Sequence, residues 1–334
     1  VDAADLFADV VGDVVTPNAL YESLCLALLQ QPRPSKIYGV KISGTDYDGG
    51  LAALEAADDV TFVSLANVTD KTLLQKLKAH AENLSAAGLK RIAVMMVDPT
   101  VAKSATYAAD MYTALTGSPN LESSVSRVLM VAARGAKTDD GDPADTASAA
   151  MAAVAGYAPA TSIVLKRVRG LTVPVADQFS PAEIRGLSEK NIVPIIQPAL
   201  VVGGGFFFAE GRLFTSDASL LYVDIVRTLD DIDFRLKAGL IGAIGDARIT
   251  KAGLVGLKTR ADGIIGPLKR AATIDDYTID IPVLAILSVP ESTWTAGERA
   301  LVALARANRT VDMFVSITYG PAVHRLRVTL QPKF

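Results

Sequence analysis

The 334-residue sequence predicts an α/β fold, in which a parallel-rich sheet with flanking helices is followed by an α+β C-terminal domain. Two observations predict it. From residue 37 onward, short and continuously apolar runs alternate with helix-like stretches, a pattern typical of parallel strands buried on both faces. After residue 215, two long helical stretches lead into a mixture of strands and one further helix. We therefore expect one domain at residues 1–215 and another at 216–334, with a terminal strand arm at 321–334.

The first four strands are predicted from runs that are short, apolar and separated by helical patterns. They cover residues 37–43, 60–66, 91–97 and 127–133. The helical stretches beside them cover residues 18–31, 50–57, 69–87, 102–115 and 144–156. This alternation favours a sheet with helices packed on its faces.

The helix at residues 18–31 has one predominantly apolar side. That side carries Leu20, Leu24, Leu28 and Leu29. Cys25 lies in or beside it and is expected to be ordinary core, because no cationic residue near it in sequence would stabilise a thiolate.

The helix at residues 69–87 also has an apolar side, and its ends carry recognisable signals. Leu73, Leu77 and Leu84 share the apolar side. Thr69 or Asp70 can cap its start, and Gly88 can end it. His80 falls on the opposite side, so we expect a solvated surface histidine.

Toward the end of the first domain the chain is predicted to form short strands and one short helix. Ser180, Pro181 and Glu183 have the arrangement of a capping box that begins this helix. The strand-rich pieces cover residues 162–175, 192–197 and 206–209, with a glycine turn at 203–205.

The C-terminal domain is predicted to begin with a long helix that Ser216 and Asp217 cap and that runs to about residue 241. Its buried stripe consists of Leu229, Ile232, Leu236 and Leu240. The elements expected after it are helices at 251–264 and 296–307 and strands at 283–289, 311–319 and 323–330.

Composition narrows the classes of function. A single cysteine excludes an internal disulfide and a CxxC site, and two histidines leave little for zinc binding or histidine-based catalysis. Residues 151–334 carry 21 bases against 17 acids, a balance too mild for a nucleic-acid-binding surface. The most apolar window, residues 192–209, contains two prolines and three consecutive glycines and is a poor membrane span. Four aspartates in residues 1–13 argue against a signal peptide there.

A search for catalytic motifs finds none. The sequence contains no GxxxxGK[ST] phosphate loop, no GxSxG nucleophile elbow and no HExxH. The acidic clusters at residues 58–59, 139–142 and 230–233 lack EF-hand spacing and are expected to be solvated surface. We therefore expect no catalytic residue, no cofactor, no metal site and no enzymatic activity.

The chain ends in a strand pattern with period two. Leu326, Val328 and Leu330 point to one side, whereas Arg325 and Arg327 point to the other. Because this strand follows Gly320 and Pro321 at the end of the chain, it can close its own sheet or pair with a neighbouring chain.

Several stretches resemble one family. They are LLQQPRPSKIYGV at 28–40, FSPAEIRGLSEKNIVPII at 179–196, GFFFAEGRLFTSD at 205–217, YVDIVRTL at 222–229 and TIDIPV at 278–283. On these stretches the chain resembles the contractile tail sheath proteins of bacteriophages, R-type pyocins and contractile injection systems.

The resemblance implies a subtilisin-like α/β core and a C-terminal sheath domain. It also implies a structural subunit that polymerises as stacked hexameric rings around an inner tube and contracts to drive the tube through a cell envelope. Its partners would be further copies of itself, the inner tail tube protein, the baseplate and the tail terminator. Its location would be a virion tail or injection-system particle assembled in the bacterial cytoplasm, with no nucleic acid and no membrane insertion. The alternative is a doubly wound α/β small-molecule-binding protein or enzyme, with its ligand at the carboxyl ends of the strands.

Two sets of candidate interface residues follow from this resemblance. The candidates for contact with an acidic tube surface are Arg248, Lys251, Lys258, Arg260, Lys269 and Arg270. A solvated helix face is the other interpretation of these bases. The candidates for a strand shared between subunits are Val323, Arg325, Leu326, Arg327, Val328 and Leu330.

Overall fold

The structure is a computed structural model that describes residues 18–139 and 141–324. Contacts group the chain into two units, Val1–Val226 and Arg227–Phe334. The predicted domain boundary between residues 215 and 216 stays a prediction.

The described part of the first unit alternates helices and strands. Its helices are α1 (Ala19–Leu28), α2 (Tyr47–Glu55), α3 (Lys71–Ala86), α4 (Tyr107–Thr116), α5 (Thr146–Ala155) and α6 (Pro181–Glu189). Its strands are β1 (Phe62–Val63), β2 (Ile92–Met96), β3 (Val128–Ala132), β4 (Arg167–Val168), β5 (Val193–Ile196) and β6 (Phe206–Phe208). A 3-10 turn covers Val175–Asp177, and α7 (Val223–Leu240) begins in this unit and continues into the second.

These strands form one mostly parallel sheet in the order β1-β2-β3-β5-β6-β4. The first four strands in this order run parallel, with Ala93 opposite Val128 and Val131 opposite Val193. β6 pairs antiparallel with both β5 and β4. A mixed α/β fold with a mostly parallel sheet is thus confirmed.

Both faces of the sheet are buried. Alternate residues of each strand point to opposite faces, and the residues of each face pack into a different apolar cluster. Val94 and Met96 contact the apolar cluster that includes α5. Ala93 and Met95 contact the other cluster, which includes Leu77 of α3. Leu77 is fully buried, and such burial stabilises the fold by roughly 1.5–3 kcal/mol per leucine.

The core-facing side of helix α1 includes Leu24 of the predicted side but is rotated about the helix axis from it. Its buried residues are Ser23, Leu24, Leu26 and Ala27. Leu29 lies beyond the helix end and is exposed, while Cys25 is half-buried. The helix packs on the small alanine side chains of α5, so position on that interface decides burial more than the spacing of leucines does.

The second unit contains the rest of α7, further helices and a two-stranded sheet. Its remaining elements are α8 (Lys251–Arg270), β7 (Asp276–Asp280), α9 (Pro282–Leu287), α10 (Ala296–Asn308), β8 (Phe314–Thr318) and 3-10 turns at Ile241–Ala243 and Glu291–Thr293. Ile232, Ala261 and Ile265 form an apolar cluster with the inner face of β7 and β8. A separate cluster joins α8, α9 and α10.

The strand predicted at residues 283–289 is wrong, because this run forms helix α9. Periodicity alone does not distinguish a short apolar run in a strand from one in a buried helix. Pro282 occupies the first turn of α9, where its fixed φ and missing N–H favour a helix start. The strand that does lie here is β7, immediately before that proline.

The strand predicted at residues 37–43 is also wrong. Residues 37–42 are extended, but they form no strand pairing with β1. The neighbouring strand β1 is only two residues long and offers little to pair with. Similarly, only Arg167–Val168 of the predicted 162–175 stretch is a strand.

The long helix begins later than predicted, at Val223. Asp217 does not cap it. Its carboxylate instead accepts hydrogen bonds from the backbone N–H and the hydroxyl of Ser219 and so closes a local turn. By contrast, α8 extends past the predicted residue 264 to Arg270, with Pro267 inside it.

Candidate interaction surfaces

The carboxyl edge of the parallel sheet is where a doubly wound α/β protein would bind a small molecule. Arg134 follows β3 at this edge and is 2% exposed. One guanidinium nitrogen lies 2.8 Å from a Glu183 carboxylate oxygen, and Nε donates to the carbonyl of Asp177 at 3.1 Å. The chain itself therefore provides the partners of this cation.

Two aromatic rings pack against the guanidinium. Its central carbon lies 4.6 Å from the ring centroid of Tyr107 and 4.9 Å from that of Phe179. The rings of Tyr107 and Phe179 are themselves 5.7 Å apart. Burial raises the pKa of the Tyr107 hydroxyl to about 12, so the ring stays neutral. This cluster fills the part of the edge at the end of β3 with side chains of the fold.

Glu183 holds Arg134 and also begins α6. Its carboxylate accepts the backbone N–H of Ser180 at 2.8 Å, and the hydroxyl of Ser180 accepts the backbone N–H of Glu183 at 3.3 Å. Burial alone would raise the pKa of Glu183, but the hydrogen bonds from Arg134 and Ser180 outweigh it and lower the pKa to about 2. The capping box predicted from sequence is confirmed, and the ion pair joins it to β3.

The structure contradicts the prediction of a solvated His80. His80 is buried, and its Nε2 lies 2.9 Å from a guanidinium nitrogen of Arg91. Arg91 is fully buried and donates to the carbonyls of Leu54 and Ala57 at the end of α2. The side of α3 opposite the leucines is covered by the end of α2 and the residue before β2, which periodicity within α3 cannot reveal.

We expect the first unit to lose stability as the pH falls from 7.5 to 5.5. Burial and then the charge of Arg91 lower the pKa of His80, so the unfolded chain takes up a proton near pH 6.5 before the folded chain does. The midpoint of urea unfolding, followed by far-UV circular dichroism, should therefore decrease over this range.

The variant His80→Gln should reduce this pH dependence, because glutamine can accept from Arg91 without titrating near neutral pH. His324→Gln is the matched control and should leave it in place. An unchanged slope in the His80 variant would show that another group titrates.

The six predicted tube-facing bases all have exposed side chains. Lys251, Lys258 and Lys269 fall on one side of α8, whereas Arg260 falls on the opposite side, since each residue advances about 100°. Lys269 is paired with Asp276 of β7 at 2.6 Å. These bases therefore do not form a single patch.

The two-stranded sheet has an apolar face and a solvated face. Ile279 and Ile317 contact the cluster beneath it. Asp276, Asp280 and Phe314 lie on the exposed face. Within the described ranges no further strand pairs with β7 or β8.

The predicted shared strand lies mostly outside the described residues. Arg325, Leu326, Arg327, Val328 and Leu330 are among those not described. The chain leaves β8 through Gly320 and Pro321, and Val323 is exposed and belongs to no strand. The strand expected to begin at residue 323 is therefore absent at its first two positions.

Among the described side chains, no group of three or more His, Cys, Asp or Glu could hold a metal ion. The described helices include none that is both long and apolar enough to cross a membrane.

Comparison with known proteins shows which folds the chain is similar to. No protein-family model matches the chain, and no characterised protein matches it by sequence. Its fold is that of contractile sheath proteins, which confirms at the level of fold the resemblance seen in the sequence.

The similar structures belong to contractile particles. A chain in the six-fold symmetrised baseplate of the anti-feeding prophage has a TM-score of 0.69 at 15% identity, covering 96% of this chain and 83% of that one. A chain of the contracted PVC sheath complex, from an extracellular contractile injection system, has a TM-score of 0.66 at 13% identity. This match covers 97% of this chain and 83% of that one. The sheath tail protein of Desulfitobacterium hafniense has a TM-score of 0.53 at 19% identity, covering 73% of this chain, which spans 55% of that protein.

Proposed function

We propose that this protein is the structural subunit of a contractile tail sheath. It polymerises as stacked hexameric rings around an inner tube and contracts to drive the tube through a cell envelope. The observation that carries the proposal is a fold shared over 96–97% of the chain with chains of contractile particles, two of them contracted sheaths. The low identities mean that the function rests on this fold and on the surfaces described above.

Partners and location follow from the same proposal. They are other copies of the chain, the inner tail tube, the baseplate and the tail terminator, in a virion tail or an injection-system particle assembled in the bacterial cytoplasm. The first unit would correspond to the subtilisin-like core and the second to the C-terminal sheath domain. The role requires no active site, because the free energy for contraction would be stored in subunit packing.

The two-stranded sheet is the proposed acceptor of a neighbour's terminal strand. An added strand on β7 would place Leu326 and Val328 on the face of Ile279. Arg325 and Arg327 would then lie on the face that exposes Asp276 and Asp280, where opposite charges on adjacent strands are favourable. One register therefore satisfies both apolar burial and charge.

Electron microscopy of the purified full-length chain tests the proposal. Tubes or stacked rings are the expected result, alone or after addition of the inner tube protein. A discrete monomer or dimer under all conditions, together with a thermal shift caused by a small molecule, would support the doubly wound enzyme or binding protein instead.

Reversing charges on α8 should weaken assembly onto the tube. We expect Lys258→Glu combined with Arg260→Glu to reduce co-sedimentation with the tube at low salt, because exposed pairs contribute about 0–1 kcal/mol each but recur in every subunit. High salt should weaken wild-type binding as well.

Single charge reversals show which side of α8 contacts the tube, because Lys258 and Arg260 lie on opposite sides of the helix. If only Lys258→Glu is defective, the tube contacts the side that also carries Lys251. Normal co-sedimentation by the double variant would mean that these bases do not contact the tube.

A further inference from the structure

A cavity of about 690 Å³ lies at β1 in the first unit, between α1, α5 and the extended segment at residues 37–42. Its volume is within the range of about 300–1,000 Å³ in which proteins bury a bound group. Much of its lining is apolar and includes Leu24, Ala27, Ile37, Val40, Phe62 and Met151. A group that fills the cavity therefore needs several apolar side chains.

The lining of the cavity also carries positive charge. Its charged residues are Lys36, Lys41 and Asp59. Asp59 forms an ion pair with Lys36 and accepts a hydrogen bond from the hydroxyl of Tyr38 at 3.0 Å. Lys41 lies outside this pair, so the lining has an excess of one positive charge. An occupant that combines apolar side chains with carboxylates therefore suits the cavity better than an uncharged one does.

Residues 1–17 have this composition. They contain four aspartates and neither lysine nor arginine. Three copies of the pattern Asp-apolar-apolar follow one another at residues 5–7, 9–11 and 13–15, and each places one carboxylate beside two apolar side chains. The apolar residues of these copies are Leu6, Phe7, Val10, Val11, Val14 and Val15. The segment thus offers both kinds of group that the lining favours.

This segment joins the described part of the chain at the cavity itself. Asn18 and Ala19, the first two described residues, line the cavity. A chain extends by at most about 3.3–3.6 Å per residue, so the ten residues 7–16 can span roughly 33–36 Å. Every apolar side chain of the three copies can therefore reach the lining. A short tether also gives the segment an effective concentration of about millimolar at the cavity.

We propose that residues 5–15 dock in the α1–β1 cavity of their own chain, with their apolar side chains against its lining and an aspartate beside Lys41. The tether at Asn18 favours the same chain over a second copy as the source of the segment. A segment docked in this way is not available to link subunits, which leaves that role to the terminal arm at 321–334. The contact goes beyond the proposed function and does not depend on it, because it forms within one chain.

Cross-linking within the full-length chain tests the contact. In a Cys25→Ser background, Ala8→Cys places a thiol on the segment, and Ala155→Cys places one in the cavity lining, where Ala155 is half-buried. A short bismaleimide should join the two thiols within one chain. Ala8→Cys with Ala182→Cys is the matched control, because Ala182 is an exposed alanine of the same unit that does not line the cavity.

The Ala155 pair should give at least about tenfold more cross-linked product than the control pair, because docking holds its two thiols within reach of each other. Mixing isotopically heavy and light chains before the reaction identifies the source of the segment. Products that join heavy with light would place the segment in a second copy and overturn the proposal. Equal yields from the two pairs would also overturn it, even if the wild-type chain forms sheath. An excess of intrachain product from a chain that forms no sheath would support the contact and contradict only the proposed function.

Variants of the doubly labelled chain show which groups make the contact. Leu6→Asp combined with Phe7→Asp should remove the excess of product, while far-UV circular dichroism confirms that the chain folds. Lys41→Glu should lower the yield about two- to fivefold at low salt. Lys103→Glu is its matched control and should leave the yield unchanged, because Lys103 is an exposed lysine of the same unit outside the lining. An unchanged excess in the Leu6 and Phe7 variant would overturn the proposal, and equal effects of the two lysine reversals would overturn the role of Lys41.

Discussion

Truncation after Tyr319 should leave a folded, soluble subunit that forms no sheath. The truncated chain keeps β8 and its pairing with β7, from Asp276 opposite Thr318 to Asp280 opposite Phe314. It also keeps every residue of the apolar clusters in the second unit. The lost segment contains the alternating strand, which we propose pairs with a neighbour. Four to six backbone hydrogen bonds at a net ~0.5–1.5 kcal/mol each would contribute several kcal/mol per junction, repeated around each ring.

Electron microscopy and thermal unfolding of the truncated chain test this expectation together. Truncation after Leu330 is the matched control, because it removes only the last four residues and keeps the alternating strand. An unfolded product from the shorter chain would show that the strand belongs to its own subunit's core. Normal tubes from the shorter chain would show that the strand links nothing.

The central strands could be predicted from sequence because their burial is visible in their own residues. The runs at 91–97 and 127–133 contain β2 and β3, each of which is buried at every position. A strand buried on both faces needs apolar residues throughout, so its continuous apolar composition identifies it in the sequence. The same holds for capped helices, such as α6 with its Ser180 and Glu183 box.

The failures share a different cause, which is that the deciding partner lies far away in sequence. Residues 37–43 have a strand's composition, yet only the short strand β1 is available beside them. His80 is buried because Arg91 and the end of α2 cover it. The pairing of Arg134 with Glu183 joins positions 49 residues apart. The capping-box pattern predicted the role of Glu183 at the start of α6. By contrast, nothing near Arg134 in the sequence indicates that this cation is buried.

Replacing Arg134 by methionine should destabilise the first unit by about 3–5 kcal/mol, the usual cost of leaving a buried charge without its partner. Methionine keeps much of the packing against Tyr107 and Phe179. The loss therefore reports on the carboxylate of Glu183 and on the carbonyl of Asp177, which both lose the guanidinium. Urea unfolding of the unassembled chain, followed by far-UV circular dichroism, measures the effect. Arg235→Met is the matched control, because Arg235 forms an exposed pair with Asp231 that is worth at most about 1 kcal/mol.

The double variant Arg134→Met/Glu183→Gln separates the ion pair from general packing. It should recover a large part of the loss, because no unpaired charge remains and glutamine can still accept from Ser180. The pH dependence gives a second readout. Since folding holds the pKa of Glu183 at about 2, below its ordinary value, the wild-type pair contributes stability that is present above about pH 4.5 and is lost as the pH falls toward 2. Arg134→Met should reduce that acid-dependent loss, because only the hydrogen bonds from Ser180 then lower the pKa of Glu183. A variant equally stable to wild type, with the same acid transition, would show that Arg134 and Glu183 do not hold this edge of the sheet together.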